Sequence, residues 1–326
     1  MTVIPHATLT RRAALSLPAA LAALPVRAQS AATVRLIVPF APGGAIDTIG
    51  RFYAQAMGPS LGQNWVVENR TGGNGVIGAR AVAAATPDGR TLMFHADAEI
   101  VGNHVMRDPG YDSLTDFTPV ARVAQGPLVL VGHPSIPARD LPALTAAMRA
   151  DPSRFAFANS SLGALGHLAT EWFKRQVGAA DATLVSYRGT APALNDVLAG
   201  SPNLMMAPML AARPLVQGGQ LRAYAVCAPQ RSAIAPEIPT GAEGGLPGLN
   251  FVVWYGMWGP KNLPEAIVTR LNDAAMAAGR DPEMVRRLAE LGCEPVLEDA
   301  AGFRRTIAAD YARNVEIIRL AGIQPE

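Results

Sequence analysis

Cysteine is nearly absent from this chain: only Cys227 and Cys293 occur in 326 residues, and neither belongs to a Cys-x-x-Cys pair. With no paired-histidine spacing either, a disulfide-built scaffold, a dithiol redox centre and a sequence-encoded zinc site are excluded. A surplus of one charge is also missing, because 28 basic residues face 26 acidic ones. That balance argues against nucleic acid as a partner. No apolar run reaches the roughly 20 residues of a membrane-spanning helix, and no sustained heptads mark a coiled coil.

What is present begins with an export pattern. Arg11 and Arg12 precede the apolar stretch AALSLPAALAALPV, and Val26-Arg27-Ala28 offers small residues before a cut ahead of Gln29. The pattern predicts a secretory signal over residues 1–28. Thr10-Arg11-Arg12 weakly resembles a twin-arginine signal but lacks the usual bulky residue after it, so the export route stays open. Removing residues 1–28 takes three arginines and no acid from the 28 basic residues, leaving 25 against 26. The two cysteines fall in segments assigned below to different lobes, and they read as buried free thiols.

Short apolar runs at 34–38, 65–68, 91–94, 128–131, 154–158, 183–187, 203–206, 222–226 and 252–258 alternate with alanine-rich amphipathic segments. This alternation predicts an α/β fold of mainly parallel sheets flanked by helices. Roughly 300 residues exceed one core and imply two domains. Residues 33–125 plus 254–326 are expected to form the first lobe, with the last helices packed back on it, and residues 126–253 the second. The chain would cross between lobes near 124–132 and 250–258, making a hinge and a cleft.

Four segments could carry chemistry. In VRLIVPFAPGGAIDTIGR a buried strand runs to Phe40, Pro42-Gly43-Gly44 turns, and Asp47 lies in the first turn of a helix. Such a turn is either an anion cradle built from free backbone N–H groups or an ordinary turn capped by Asp47. FANSSLGALGHLATEWF repeats the arrangement with Ser160, Ser161, Gly163 and His167, and VSYRGTAPALNDVLAG with Tyr187, Arg188, Gly189 and Thr190. No Gly-x-Ser-x-Gly elbow surrounds the serines, and His167 reads more readily as a packing or capping residue than as a base. Arg188 could pair with a carboxylate or simply face solvent. The fourth segment, Gly73-Asn74-Gly75-Val76-Ile77-Gly78, matches the glycine pattern of dinucleotide folds, and Asp97 follows about 20 residues later, as a ribose-binding acid would. Yet it follows the second strand after four intervening residues, Asn69 to Gly72, in a chain expected to be exported. A nicotinamide cofactor is not expected.

Together VPFAPGGAIDTIGR, VVENRTGGNGVIGARAVAAATPDGRTLM, YDSLTDFTPVARVA, VSYRGTAPALNDVLAG and GLPGLNFVVWYGMWGP resemble the Bug family, extracytoplasmic solute-binding components of tripartite tricarboxylate transporters. The resemblance covers nearly the whole mature chain. It implies a periplasmic two-lobed flytrap fold, a monomer without enzymatic activity, cofactor or metal, and a small organic ligand whose carboxylate is gripped between the lobes. The implied site comprises Phe40, Ala41, Pro42, Gly43, Gly44 and Asp47 from one lobe, and Ser160, Ser161, Gly163, His167, Tyr187, Arg188, Gly189 and Thr190 from the other. The glycine-rich segment matches the family's own and implies a structural role. Two departures bear on the ligand: His95-Ala96-Asp97-Ala98-Glu99 puts Asp97 near the cleft, and Met205-Met206-Ala207-Pro208-Met209 makes an apolar wall at Ala207. An acid facing such a wall suits a ligand with an amine, amide or hydroxyl and an apolar or aromatic body better than a bare tricarboxylate. The implied partner is a membrane permease of the tripartite tricarboxylate type, or alternatively a sensor kinase. An exported hydrolase using Ser160 or Ser161 with His167 is the remaining rival.

Overall fold

The computed structural model describes residues 33–160, 163–187 and 189–325. The predicted signal, Ser161 and Arg188 lie outside these described residues. The first apolar run becomes β1 (Thr33–Val38), with Val34, Leu36, Ile37 and Val38 fully buried. There follow α1 (Ala45–Leu61), β2 (Asn64–Asn69), α2 (Val76–Ala83), β3 (Thr91–Ala96), the short α3 (Gly102–Val105) and the 16-residue β4 (Phe117–Gly132). Next come α4 (Leu141–Ala150), β5 (Ala156–Asn159), α5 (Leu165–Gln176), β6 (Thr183–Ser186), α6 (Thr190–Ala199), β7 (Leu204–Pro208), α7 (Met209–Gln217) and β8 (Arg222–Val226). The chain returns through β9 (Val252–Pro260) and ends with α8 (Glu265–Gly279), α9 (Pro282–Glu290), β10 (Glu294–Glu298) and α10 (Ala300–Ala321).

β4 belongs to both lobes. From Phe117 to Pro127 it pairs with β9, and near Arg122 to Gln125 with β10, inside the sheet β2-β1-β3-β9-β4-β10. From Leu128 to Gly132 it pairs with β7 and β8, inside the sheet β6-β5-β7-β4-β8. Among the named strands, parallel pairing is found in the strand-helix-strand units, β1 with β2 and β3, and β5 with β6 and β7. The remaining pairings are antiparallel, so the sheets are mixed where mainly parallel ones were expected. The cause is topological: β4 carries the chain into the second lobe, β9 carries it back, and adjacent strands travelling in opposite senses pair antiparallel.

The first half of β4 lies outside the apolar run read at 128–131, and it contains Pro119 and Pro127. It tolerates Pro119 because the register with β9 slips between Pro119 and Ala121, a bulge where no ladder donor is needed. The last helix also departs from expectation. α10 packs on β4 in the first lobe and reaches α5 in the second, which 22 residues can do because they span about 33 Å. Its Asp310 accepts a 2.7 Å bond from Trp254 Nε1, and its Arg313 guanidinium lies 5.1 Å from the centre of the Phe251 ring. Trp254, Trp258 and Phe303 form one aromatic cluster beneath these contacts. Both cysteines are buried free thiols. No described helix is long and apolar enough to cross a membrane.

Candidate ligand site

Strand register brings the loops together. Ala96 lies beside Tyr255 and Tyr255 beside Ala124, so the ends of β1 and β3 approach β4 near Ala124. In the second lobe Pro208 lies beside Leu128, β5 and β6 end level at Asn159 and Ser186, and β7 runs two residues further to Pro208. Ala124 and Leu128 are four residues apart along one strand, about 13 Å. The loops after β1 and β3 therefore face those after β5, β6 and β7 across a gap.

The helices that begin at this gap share one feature. α1, α5, α6 and α7 start at Gly44, Ala164, Gly189 and Pro208, and none has a side chain accepting from its first turn. By contrast, Asp140, Asp281 and Asp299 cap α4, α9 and α10 with bonds of 2.8, 2.8 and 2.6 Å; α2, α3 and α8, starting at Gly75, Val101 and Pro264, also lack a side-chain cap. Uncapped starts leave backbone donors and the positive dipole end facing the gap. Four of them at one gap suit an anion.

In the first lobe, Ala41, Pro42, Gly43 and Gly44 are exposed and Phe40 is half-buried. Gly43 has φ +86°, while a β-carbon there would meet nothing within 4 Å. Its requirement is conformational rather than spatial. Asp47, only 3% exposed, is not free to meet a ligand. Its Oδ2 accepts from Gly43 N–H at 2.9 Å and its Oδ1 from Asn69 Nδ2 at 2.8 Å, while Arg51 Nε stands 3.0 Å from both oxygens. Burial works against its charge, but the bonds from Arg51, Gly43 and Asn69 prevail and hold the carboxyl below its usual range. Asn69 Nδ2 also donates to Phe40 O at 2.9 Å. Sequence reasoning missed Asn69 and Arg51 as parts of the site, although the i, i+4 spacing of Asp47 and Arg51 is a readable signal.

The dinucleotide-like glycines serve this same loop. A β-carbon on Gly78 would lie 2.6 Å from Pro39 Cβ and 3.0 Å from Arg70 O, and one on Gly75 only 2.9 Å from His95 Nε2. Bare backbone at both positions lets α2 close against the base of the β1–α1 turn.

The second-lobe loops are tied mainly by backbone. Gly189 N–H donates to Ser160 O and Tyr187 N–H to Asn159 O, both at 2.8 Å. His167 is buried, and its Nδ1 accepts from Gly163 N–H at 3.1 Å, so the ring braces the loop. Burial lowers its pKa. The Tyr187 hydroxyl donates to Asp196 Oδ2 at 2.7 Å. Gly189 and Thr190 are half-buried at the start of α6. Gly163, at φ +71°, is where the lobes touch: a β-carbon there would lie 2.7 Å from Val105 Cγ1 of α3.

Two expectations about the ligand change. Ala207 does not form a wall of the gap, because strand alternation turns Met205 and Ala207 into one covered core and Met206 into another. Asp97 is 4% exposed at the end of β3. Burial, helped by Asp310, pushes it up to about 7, so near neutrality only part of the charge that would repel a second carboxylate is present. Nearby Glu99 is likewise pushed up to about 8 by burial, and His95 down to about 4. A cavity of about 460 Å³ opens between Pro127, Ile234, Val252, Val285 and Cys293. It holds none of the loop residues.

Comparison with known proteins agrees with the fold. Protein BugT of Bordetella pertussis is 36% identical over 304 residues, 92% of this chain and 93% of BugT. The structure of the periplasmic binding protein BugD superposes with a TM-score of 0.77 at 30% identity, covering 90% of this chain and 99% of BugD. Rpa4515 of R. palustris, solved with adipate, gives 0.80 at 34% identity, covering 90% and 98%. The fold is thus the two-lobed one of periplasmic binding proteins. A family model described as "Tripartite tricarboxylate transporter family receptor" matches residues 49–323, and the chain belongs to that family, TctC.

Proposed function

We propose that this protein is an exported receptor that captures a small organic carboxylate between its lobes and presents it to a membrane permease of the tripartite tricarboxylate type. The observation that carries this reading is the set of helix starts without side-chain caps, one from the first lobe and three from the second, facing one gap. The family description supports the permease as partner, and adipate in a relative supports a carboxylate of that size. Residues 33–125 with 254–326 and residues 126–253 act as the two lobes. They hinge where β4 passes Pro127 and where the chain re-enters β9 at Val252. A carboxylate touching both loop sets favours the closed form, because only there are all its contacts made.

The hydrolase reading loses its base: His167 Nδ1 accepts from Gly163 N–H, and the ring is a brace. Thermal unfolding of residues 29–326 against aliphatic and aromatic carboxylates, amino acids, amides and NAD tests the proposal. A carboxylate at 100 times its dissociation constant adds about 2.7 kcal/mol, a rise of a few degrees. A rise with NAD alone, or with none of the carboxylates, would sink the receptor reading as stated.

A further inference from the structure

Asp47 occupies a position that ought to harm the proposed site. With Gly44 as N-cap it is the third helical residue of α1, where a carboxylate itself satisfies the orphan donors and places negative charge at the positive end of the helix. An anionic ligand approaching Gly44 would find an anion already there, about 5–6 Å away.

Neighbouring side chains answer this. Arg51, one turn along α1, puts Nε 3.0 Å from both Asp47 oxygens and a terminal nitrogen 2.9 Å from Oδ1. Its other reach, at 2.9 Å, is to Asn69 Oδ1, and Asn69 returns its amide to Asp47 and to Phe40 O. Both carboxylate oxygens are thereby saturated, and Oδ2 holds Gly43 N–H rather than the amides at and beyond Gly44. The three residues come from the first turns of α1 and the end of β2, and they converge on one loop.

We propose that Arg51, anchored by Asn69, is a positioning and charge-masking residue of the ligand site: it converts Asp47 from a competitor for the bound carboxylate into a brace of the Phe40–Gly44 loop. This rests on the receptor reading above. The Asn69 of ENRTGGNG is then part of the binding apparatus, acting through Asp47 and Phe40.

Adipate binding by the mature chain, followed by calorimetry in wild type, Arg51→Met, Asp47→Asn and the double variant, separates masking from bracing. An unmasked charge at that distance weakens Arg51→Met roughly tenfold to a hundredfold, whereas Asp47→Asn keeps an acceptor for Gly43 N–H. The double variant returns to within about threefold of Asp47→Asn. Arg51→Met binding within twofold of wild type overturns the proposal, and so does a double variant as weak as Arg51→Met. Should wild type bind no carboxylate, the receptor reading fails and the brace is judged alone: faster hydrogen exchange at the Gly43 amide in Arg51→Met upholds it, and unchanged exchange removes it.

Discussion

The two lobes hold their halves of the candidate site by different chemistry. The first-lobe loop is shaped by charged and amide side chains from its flanks, Asp47, Arg51 and Asn69. The second-lobe loops are tied largely by their own main chain, Gly189 to Ser160 and Tyr187 to Asn159, with one ring, His167, as a brace. Side-chain bonds are lost one substitution at a time; main-chain bonds survive most substitutions. The first lobe should therefore be sensitive to side-chain identity and salt, the second to backbone conformation.

The largest break is expected at Gly43. Valine there must adopt φ near +86°, or the loop must rearrange, at a local cost of about 1–2 kcal/mol. Gly43→Val should abolish measurable carboxylate binding in calorimetry while lowering the unfolding midpoint by only a few degrees. Wild-type affinity would remove the loop from the site.

Beneath the same lobe, Asp97 gives a medium effect on stability. Its folded pKa of about 7 lies above the unfolded value of 3.8. Between these values the folded state binds more protons, so stability present below pH 3.8 is lost as pH rises through 7. Glu99, pushed up to about 8, adds to the loss, whereas His95, pushed down to about 4, opposes it only up to its unfolded value of 6.5. Denaturant unfolding at pH 5 and pH 8 should show Asp97→Asn losing roughly 2–3 kcal/mol less than wild type over that interval. Equal losses would mean that Asp97 is solvated.

The smallest effect sharpens the comparison from the other side. Ser160 fastens Gly189 through its carbonyl, so Ser160→Ala should leave affinity within about threefold of wild type by calorimetry. A tenfold loss would show that its hydroxyl meets the ligand and that the lobes are less unlike than their loops.

Much of this architecture was readable before the coordinates. The alternation of apolar runs with amphipathic segments gave the strand-helix units, and Pro42-Gly43-Gly44 marked the first loop, because local periodicity and turn chemistry are carried by neighbouring residues. Features depending on distant partners were not readable. Asn69 looked like part of a glycine turn, and its bonds to Phe40 and Asp47 span 29 and 22 residues. The first half of β4 went unread, and its bulge at Pro119 exists only because β9 lies beside it. Ala207 was placed on a wall, since a short apolar run does not reveal that both its faces are covered.

One strand, β4, has its first eleven residues in one sheet and its last five in the other. Neither sheet can be completed without it, and the second lobe is spliced into the first rather than following it along the chain. For folding, this means that the first lobe must await the C-terminal segment from Val252 onward, whose β9 fills the place between β3 and β4. Until then the second lobe's only sheet connection to its neighbour is an unfinished edge. Two bodies that move separately when a ligand arrives are, on this account, obliged to assemble and melt as one.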